Sequence, residues 1–225
     1  MIFDMDDLMT NTHQVCLGVM EEILQRHGAS LYNPDNPLRP EEELGMFGRK
    51  TRENLDYLFQ KYGLGDEAPQ ADYDWFTERV NTAFGEGVEE MPGLRHILQV
   101  CREQSYRTAI ASSSTYAKID IVLEKIGLAG EFEVIVSSAD EDIRGKPDPD
   151  VFLMAAERLG IKPENCVVLE DAKVGVEAAK KGGMYCIGVH NSHLYQKLGY
   201  RQDLSAADLE VGSLAEINEG NIPGN

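Results

Sequence analysis

Two aspartates, Asp4 and Asp6, stand two residues apart at the start of the chain, directly behind the apolar pair Ile2-Phe3. A chain leaving a strand aims residues i and i+2 to the same side, so both carboxylates can enter one cleft, one as nucleophile and one as acid and base. Further along, Ser112-Ser113-Ser114, Gly145-Lys146-Pro147 and Glu170-Asp171 each follow an apolar run. Carboxylates, hydroxyls and one ammonium, with no histidine among them, suit a divalent cation and a phosphoryl group better than acyl transfer. A carboxylate attacking a phosphate dianion meets like-charge repulsion, so the chemistry needs a hard, oxygen-liganded cation, with Asp4, a backbone carbonyl and Asp171 as ligands. Lys146 supplies a compact positive charge for Asp4 or a phosphoryl oxygen. Ser112 falls where a strand gives way to a helix, whose unpaired N–H groups favour an anion.

These groups need a scaffold that brings them to one rim. Ile2-Phe3 reads as a very short buried strand, which suggests that the chain begins inside it. From Asn11 the pattern is helical, with Asn11 and Gln14 as a capping box, Val15, Val19 and Ile23 on an apolar face, and Gly28 as the stop. Beyond a Pro- and Asn-rich stretch, helices are predicted over Glu41 to Phe47, Thr51 to Tyr62 and Tyr73 to Phe84, and no strand before Glu90.

After Met91-Pro92-Gly93 the rhythm changes to alternating helices and apolar strands, the strands falling at Thr108 to Ala111, Val134 to Val136, Cys166 to Leu169 and Tyr185 to Val189. Asp148 is read as an N-cap with Pro149 in the first helical turn. Near-continuous apolar strands alternating with helices imply a parallel sheet covered on both faces. The expected architecture is therefore α/β: a Rossmann-like, three-layer, doubly wound core over 1–11 and 91–225, with an inserted all-α domain over 12–90. In such a sheet, ligands bind beyond the carboxyl ends of the strands, which is where every group above falls.

The stretches Ile2 to Asp6 (IFDMD), Met91-Pro92-Gly93, Ile110 to Ser114 (IASSS), Gly145 to Phe152 (GKPDPDVF) and Leu169 to Ala179 (LEDAKVGVEAA), in that order, resemble the haloacid dehalogenase superfamily, in the phosphatase and phosphomutase branch with a helical cap after the first strand. The insertion matches in length, helicity and the segment Gly48 to Leu55. The resemblance implies a central first strand and a two-step reaction. Asp4 would form an aspartyl-phosphate, and Asp6 would protonate the leaving alkoxide and then deprotonate water. Ser112 and Lys146 would orient the phosphoryl group, with Ser113 beside them. Mg2+ would be held by Asp4, the backbone oxygen of Asp6, and Asp171, with Glu170 helping directly or through water.

Three positions depart from the family pattern. Asp7 stands at a usual glycine, Asn11 at a frequent aspartate, and Cys16 where the phosphomutases carry a histidine that helps hold the acid and base. The leading expectation is a Mg2+-dependent phosphatase for a small phosphomonoester such as a sugar phosphate. A β-phosphoglucomutase-type enzyme is the nearest alternative, and a relative without turnover a further one. A dehalogenase is disfavoured because Asp6 is present, as is phosphonate cleavage, for which only Lys50 speaks. Arg49, Lys50 and Arg52 form the compact basic cluster of the insertion, and Arg49 and Lys50 are candidate substrate contacts. Trp75 and Tyr73 read as packing residues, and His13, His27, His96, His190 and His193 as surface or satisfied histidines.

The 225 residues carry 39 acidic and 21 basic side chains, a formal charge of -18. Nucleic acid and anionic membranes are therefore poor partners, since binding them needs a basic face. No apolar run approaches the roughly 20 residues of a membrane span, and no basic-then-apolar leader opens the chain. A cytoplasmic protein, a monomer or weak homodimer, is expected. The four scattered cysteines read as buried apolar residues in a reducing compartment.

Overall fold

The computed structural model describes residues 1–46, 49–140, 142–191 and 201–223. Strand β1 (Ile2–Phe3) is followed by four helices with no strand among them: α1 (Thr12–Arg26), α2 (Pro40–Leu44), α3 (Thr51–Lys61) and α4 (Gln70–Glu86). Then come α5 (Leu94–Glu103), β2 (Ala109–Ser112), α6 (Tyr116–Lys125), β3 (Val134–Ser137), α7 (Asp150–Leu159), β4 (Val167–Glu170), α8 (Lys173–Lys181), β5 (Tyr185–Val189) and β6 (Leu209–Val211). The six strands form one sheet in the order β3-β2-β1-β4-β5-β6, and every pairing is parallel.

Alternation along the strands produces the layers. Ile2, Ala109, Ala111, Val136, Val168 and Cys186 pack with Val151, Phe152 and Ala155 of α7 and Val176 and Ala179 of α8. Their neighbours Phe3, Ile110, Leu169 and Ile187 join the other core with Leu94, Ile97 and Leu98 of α5 and Ile119, Val122 and Leu123 of α6. A side-chain period of two thus sends successive residues to opposite helical layers. Although only two residues long, β1 is the hub, with Ile2 paired to both Ala109 and Val168, and Phe3 to Ile110 and Leu169. The ladder runs on through Asp4 N–H donating to Leu169 O at 3.1 Å.

The entry and exit of the helical insertion are stitched together. Thr10 and Glu90 form an antiparallel bridge, Met91 N–H donates to Met9 O at 2.8 Å, and Asn11 Oδ1 accepts from Glu89 N–H at 2.9 Å. This corrects the capping box read at Asn11, whose side chain makes no cap bond to α1. Gly93, with φ of 91°, opens α5. A Cβ there would lie 2.1 Å from the Ala215 backbone nitrogen, so close approach as well as backbone sign requires glycine.

Four other expectations shift. Helix α7 begins at Asp150 with Pro149 as its cap residue, because Asp148 lies in the preceding turn, where it pairs with Arg144 at 3.1 Å. Strand β2 reaches Ser112, and α6 is capped by Thr115, whose side chain accepts from Lys118 N–H at 3.3 Å. Helix α2 ends at Leu44, and Phe47 and Gly48 lie outside the described residues. Strand β6 was not predicted: three residues with Glu210 exposed carry too little apolar signal, and main-chain bonds to β5 define it. Among the described residues no helix is long and apolar enough to cross a membrane.

Candidate active site

The carboxyl ends of β1, β2 and β4 deliver Asp4, Ser112 and Glu170 to one rim, with Asp171 just beyond and Lys146 entering from the loop after β3. All five are buried. The Lys146 ammonium bonds the Asp4 carboxylate and Glu170 Oε1 at 2.6 Å, and sits 4.8 Å from the Phe152 ring centroid. Glu170 Oε2 accepts from the main-chain N–H groups of Asp171 and Ala172, both at 2.9 Å. Glu170 thereby ties Lys146 to the start of α8. Gly175 makes room for it, since a Cβ there would fall 1.7 Å from Glu170 Oε1.

One oxygen from each of Asp4, Glu170 and Asp171 lies within 4.8 Å of the others. An all-oxygen set of buried carboxylates suits a hard divalent cation. Their electrostatics point the same way. Burial pushes the Asp4 carboxyl up to about 8 despite Lys146, with Glu170 and Asp6 adding to the rise. Burial also drives Asp171 well above the usual carboxylate range, reinforced by Glu170 and Asp4. The Asp6 carboxylate is not a member of this cluster.

Asp6 occupies a different environment. Its Oδ1 accepts from Thr12 Oγ1 and Lys118 Nζ, and its Oδ2 from Ser114 Oγ at 2.5 Å. Burial alone would raise its pKa, but the Lys118 ammonium, helped by the Ser114 and Thr12 hydroxyls, outweighs burial and holds it below the usual range. Neither Lys118 nor Thr12 was singled out in the sequence. The available signal was Lys118 in the first turn of α6, beside Ile119 and four residues before Val122, where a cation opposes the helix dipole.

Asp7 gains a structural explanation. It adopts φ of 61°, and its Oδ1 accepts from His13 N–H at 3.0 Å. It therefore satisfies an orphan donor in the first turn of α1, the task that Asn11 does not perform. Its carbonyl accepts from Asn191 Nδ2, and burial raises its carboxyl to about 6.

The cleft between rim and helices is lined by Asp4, Asp6 and Ser113 below and by Cys16, Met20 and Arg49 above. A side arm, entered past Ser113 and Lys118, runs between α3 and α4 along Lys50, Tyr73 and Asn81. The basic cluster separates. Arg49 is exposed on the cleft wall, while Lys50 spans to the core and donates to Ile143 O at 3.3 Å. Arg52 lines the side arm and donates to Ala68 O at 2.8 Å. Trp75 packs under Arg26 at 4.6 Å, as its packing assignment implied. His27, His96 and His190 bond Asp72, Ile217 O and Glu210 respectively. His13 faces the cleft and contacts Glu43 at 3.2 Å, and His193 lies outside the described residues.

The haloacid dehalogenase-like hydrolase family profile matches residues 1–189, and the chain belongs to that family. It is 30% identical over 187 residues to "Phosphorylated carbohydrates phosphatase" of Thermotoga maritima, covering 81% of each chain. It is 26% identical to β-phosphoglucomutase of Bacillus subtilis, over 96% of this chain and 90% of that one. The crystal structure of β-phosphoglucomutase from Clostridium difficile superposes with a TM-score of 0.78 at 22% identity, covering 97% and 92% of the two chains. That likeness establishes the α/β core with its inserted helical cap.

Proposed function

We propose that the chain is a Mg2+-dependent phosphatase hydrolysing a small phosphomonoester, a sugar phosphate or similar metabolite, through an aspartyl-phosphate on Asp4. The observation that carries this reading is the contrast between two aspartates two residues apart. Asp4 lies among carboxylates and Lys146, while Asp6 is held by donors of its own. The names of the Thermotoga maritima and Bacillus subtilis relatives agree with phosphoryl chemistry on a carbohydrate. Residues 12–90 are read as a cap that excludes water from the cleft, and 1–11 with 91–225 as the catalytic core.

In the first step an Asp4 carboxylate oxygen attacks phosphorus and the ester P–O bond breaks. Asp6 passes a proton to the departing alkoxide, which leaves as the alcohol. In the second, Asp6, now a carboxylate, takes a proton from water as the water oxygen attacks phosphorus. The bond to Asp4 breaks, releasing inorganic phosphate, and Asp6 gives its proton to the departing phosphate or to solvent, restoring the carboxylate. The resting Asp6 carboxylate is the form that activates water. Its proton for the first step arrives with the substrate, whose phosphoryl group carries one as the monoanion. Asp4, Asp171 and the Asp6 carbonyl would hold Mg2+, with Glu170 beside them; once bound, the ion offsets repulsion between Asp4 and the phosphoryl oxygens. Lys146, Ser112 and Ser113 orient the phosphoryl group, and Arg49 contacts the remainder of the substrate. Lys50 instead bridges cap to core.

The test is a screen of phosphorylated metabolites with the purified chain and Mg2+, ranking kcat/KM. Hydrolysis is expected to fall by at least about 10^4-fold in Asp4→Asn. Phosphorus NMR with glucose 1-phosphate and a bisphosphate primer adds the decisive alternative: glucose 6-phosphate accumulating without inorganic phosphate would replace hydrolysis by isomerisation.

A further inference from the structure

We infer that Lys118 is a positioning residue for Asp6, fixing the carboxylate that moves the proton; the inference rests on the phosphatase reading above. Lys118 is 8% exposed, and its ammonium bonds Asp6 Oδ1. It borders both the cleft and its side arm, and its remaining neighbours are a ring and a thiol. The nitrogen sits 5.1 Å from the centroid of the Phe84 ring on α4 and 3.7 Å from Cys16 Sγ on α1. Helix α6 gains nothing from a cation in its first turn, where the dipole is repulsive. Burying an ammonium there is tolerable only because Asp6 receives it.

The other two donors complete a fixed seat. Thr12 comes from the first turn of α1 and Ser114 from the loop after β2. Ser114 is itself held, its N–H donating to Ser112 Oγ at 3.0 Å and its carbonyl accepting from Ser137 Oγ at 2.7 Å. Three donors on two oxygens settle both side-chain torsions of Asp6. Proton transfer requires the donor and acceptor within hydrogen-bond reach, and a misplacement of about 1 Å can cost on the order of 10^2-fold in rate. Lys118 is the charged member of the seat, and it acts from outside the Asp4, Lys146, Glu170 group.

The experiment uses the full chain with Mg2+ and the Lys118→Met variant, which keeps the unbranched stem against Phe84. On an alkyl phosphate, kcat should fall by about 10^2-fold with KM within about threefold, the size of a general acid and base contribution. On p-nitrophenyl phosphate in rapid mixing, release of the first equivalent of phenolate should slow by less than about tenfold, because phenolate leaves without a proton. Later turnovers, which need water activated, should be slow. An equal loss on both esters in the first turnover would overturn the inference, as would a raised KM with kcat intact, which would make Lys118 a substrate contact. Unchanged kcat on the alkyl ester would also overturn it. If Lys118→Met does not fold, Lys118→Gln carries the same measurements. Absence of Asp4-dependent hydrolysis in the parent chain would sink the phosphatase reading and this inference together. Activity in the parent with no loss in the variant would sink the inference alone.

Discussion

Two buried lysines divide the cleft into halves with opposite electrostatics. On the Lys146 side one ammonium faces Asp4 and Glu170, with Asp171 adjoining, so carboxyl groups outnumber the cation. On the Lys118 side one ammonium and two hydroxyls meet the single carboxylate of Asp6, and charge is balanced within the protein. The outcome is that burial raises Asp4 and fails to raise Asp6. The first half could be completed by a metal ion, whereas the second is complete as folded.

That contrast can be broken most severely by deleting the lysines in turn. Lys146→Met leaves two buried carboxylates without their cation and should cost about 3–5 kcal/mol of stability in urea unfolding. Saturating Mg2+ should recover much of it, because a bound cation stabilises the folded state by mass action. Lys118→Met should recover much less with Mg2+. Equal recovery in the two variants would erase the distinction between the halves.

A smaller effect follows from titration. The Asp4 carboxyl is raised from 3.8 to about 8 in the folded protein. Between those values the folded chain binds more protons than the unfolded chain, so this group's contribution to stability falls as pH rises from about 4 to about 8. The Asp6 carboxyl is lowered, so its contribution is present above the ordinary carboxylate range and is lost as pH falls through its folded value. Thermal melts of chelated protein across this range should therefore show a decline toward pH 8 that Mg2+ reduces. A metal-independent profile would contradict the charge excess on the Lys146 side.

The mildest probe is Asp7, beside the boundary of the two halves. Asp7→Ala should destabilise by about 1–2 kcal/mol, losing a first-turn hydrogen bond while keeping the left-handed backbone. Asp7→Gly relieves that backbone and should stay within about 1 kcal/mol of the parent, since the two effects oppose. Reversal of this order in thermal denaturation would refute the capping account.

The Lys146 half was legible in the sequence because all its members but Lys146 sit at or just beyond strand ends, where chain direction and the two-residue period determine where side chains go. Asp4, Ser112, Glu170 and Asp171 needed only the strands to be found. Lys118 and Thr12 lie on helices, where a polar residue at one position can face solvent or core depending on tertiary packing, and Phe84, which flanks Lys118, is 34 residues away in sequence. The basic cluster is divided between two cavities for a related reason. Arg49 precedes the helix and Lys50 caps it, so successive side chains diverge. Asn11 shows how a local motif loses to a long-range partner, Glu89, that only the closed insertion provides.

The hydrogen-bonded pairing of residues 9–11 with 89–91 has a consequence for how much freedom the intervening sequence retains. Because the two tethers meet at the sheet, the core experiences everything between them as a closed loop, and lengthening such a loop costs only about 0.6 kcal/mol per doubling. Apart from Thr12, Cys16 and Phe84, which touch Asp6 or Lys118, the size and helix count of the block are expected to be exchangeable at small cost to β1. A chimera carrying a different helical insert between the same paired tethers is expected to keep Asp4, Lys146 and Glu170 in place, and must retain Thr12 to complete the seat of Asp6.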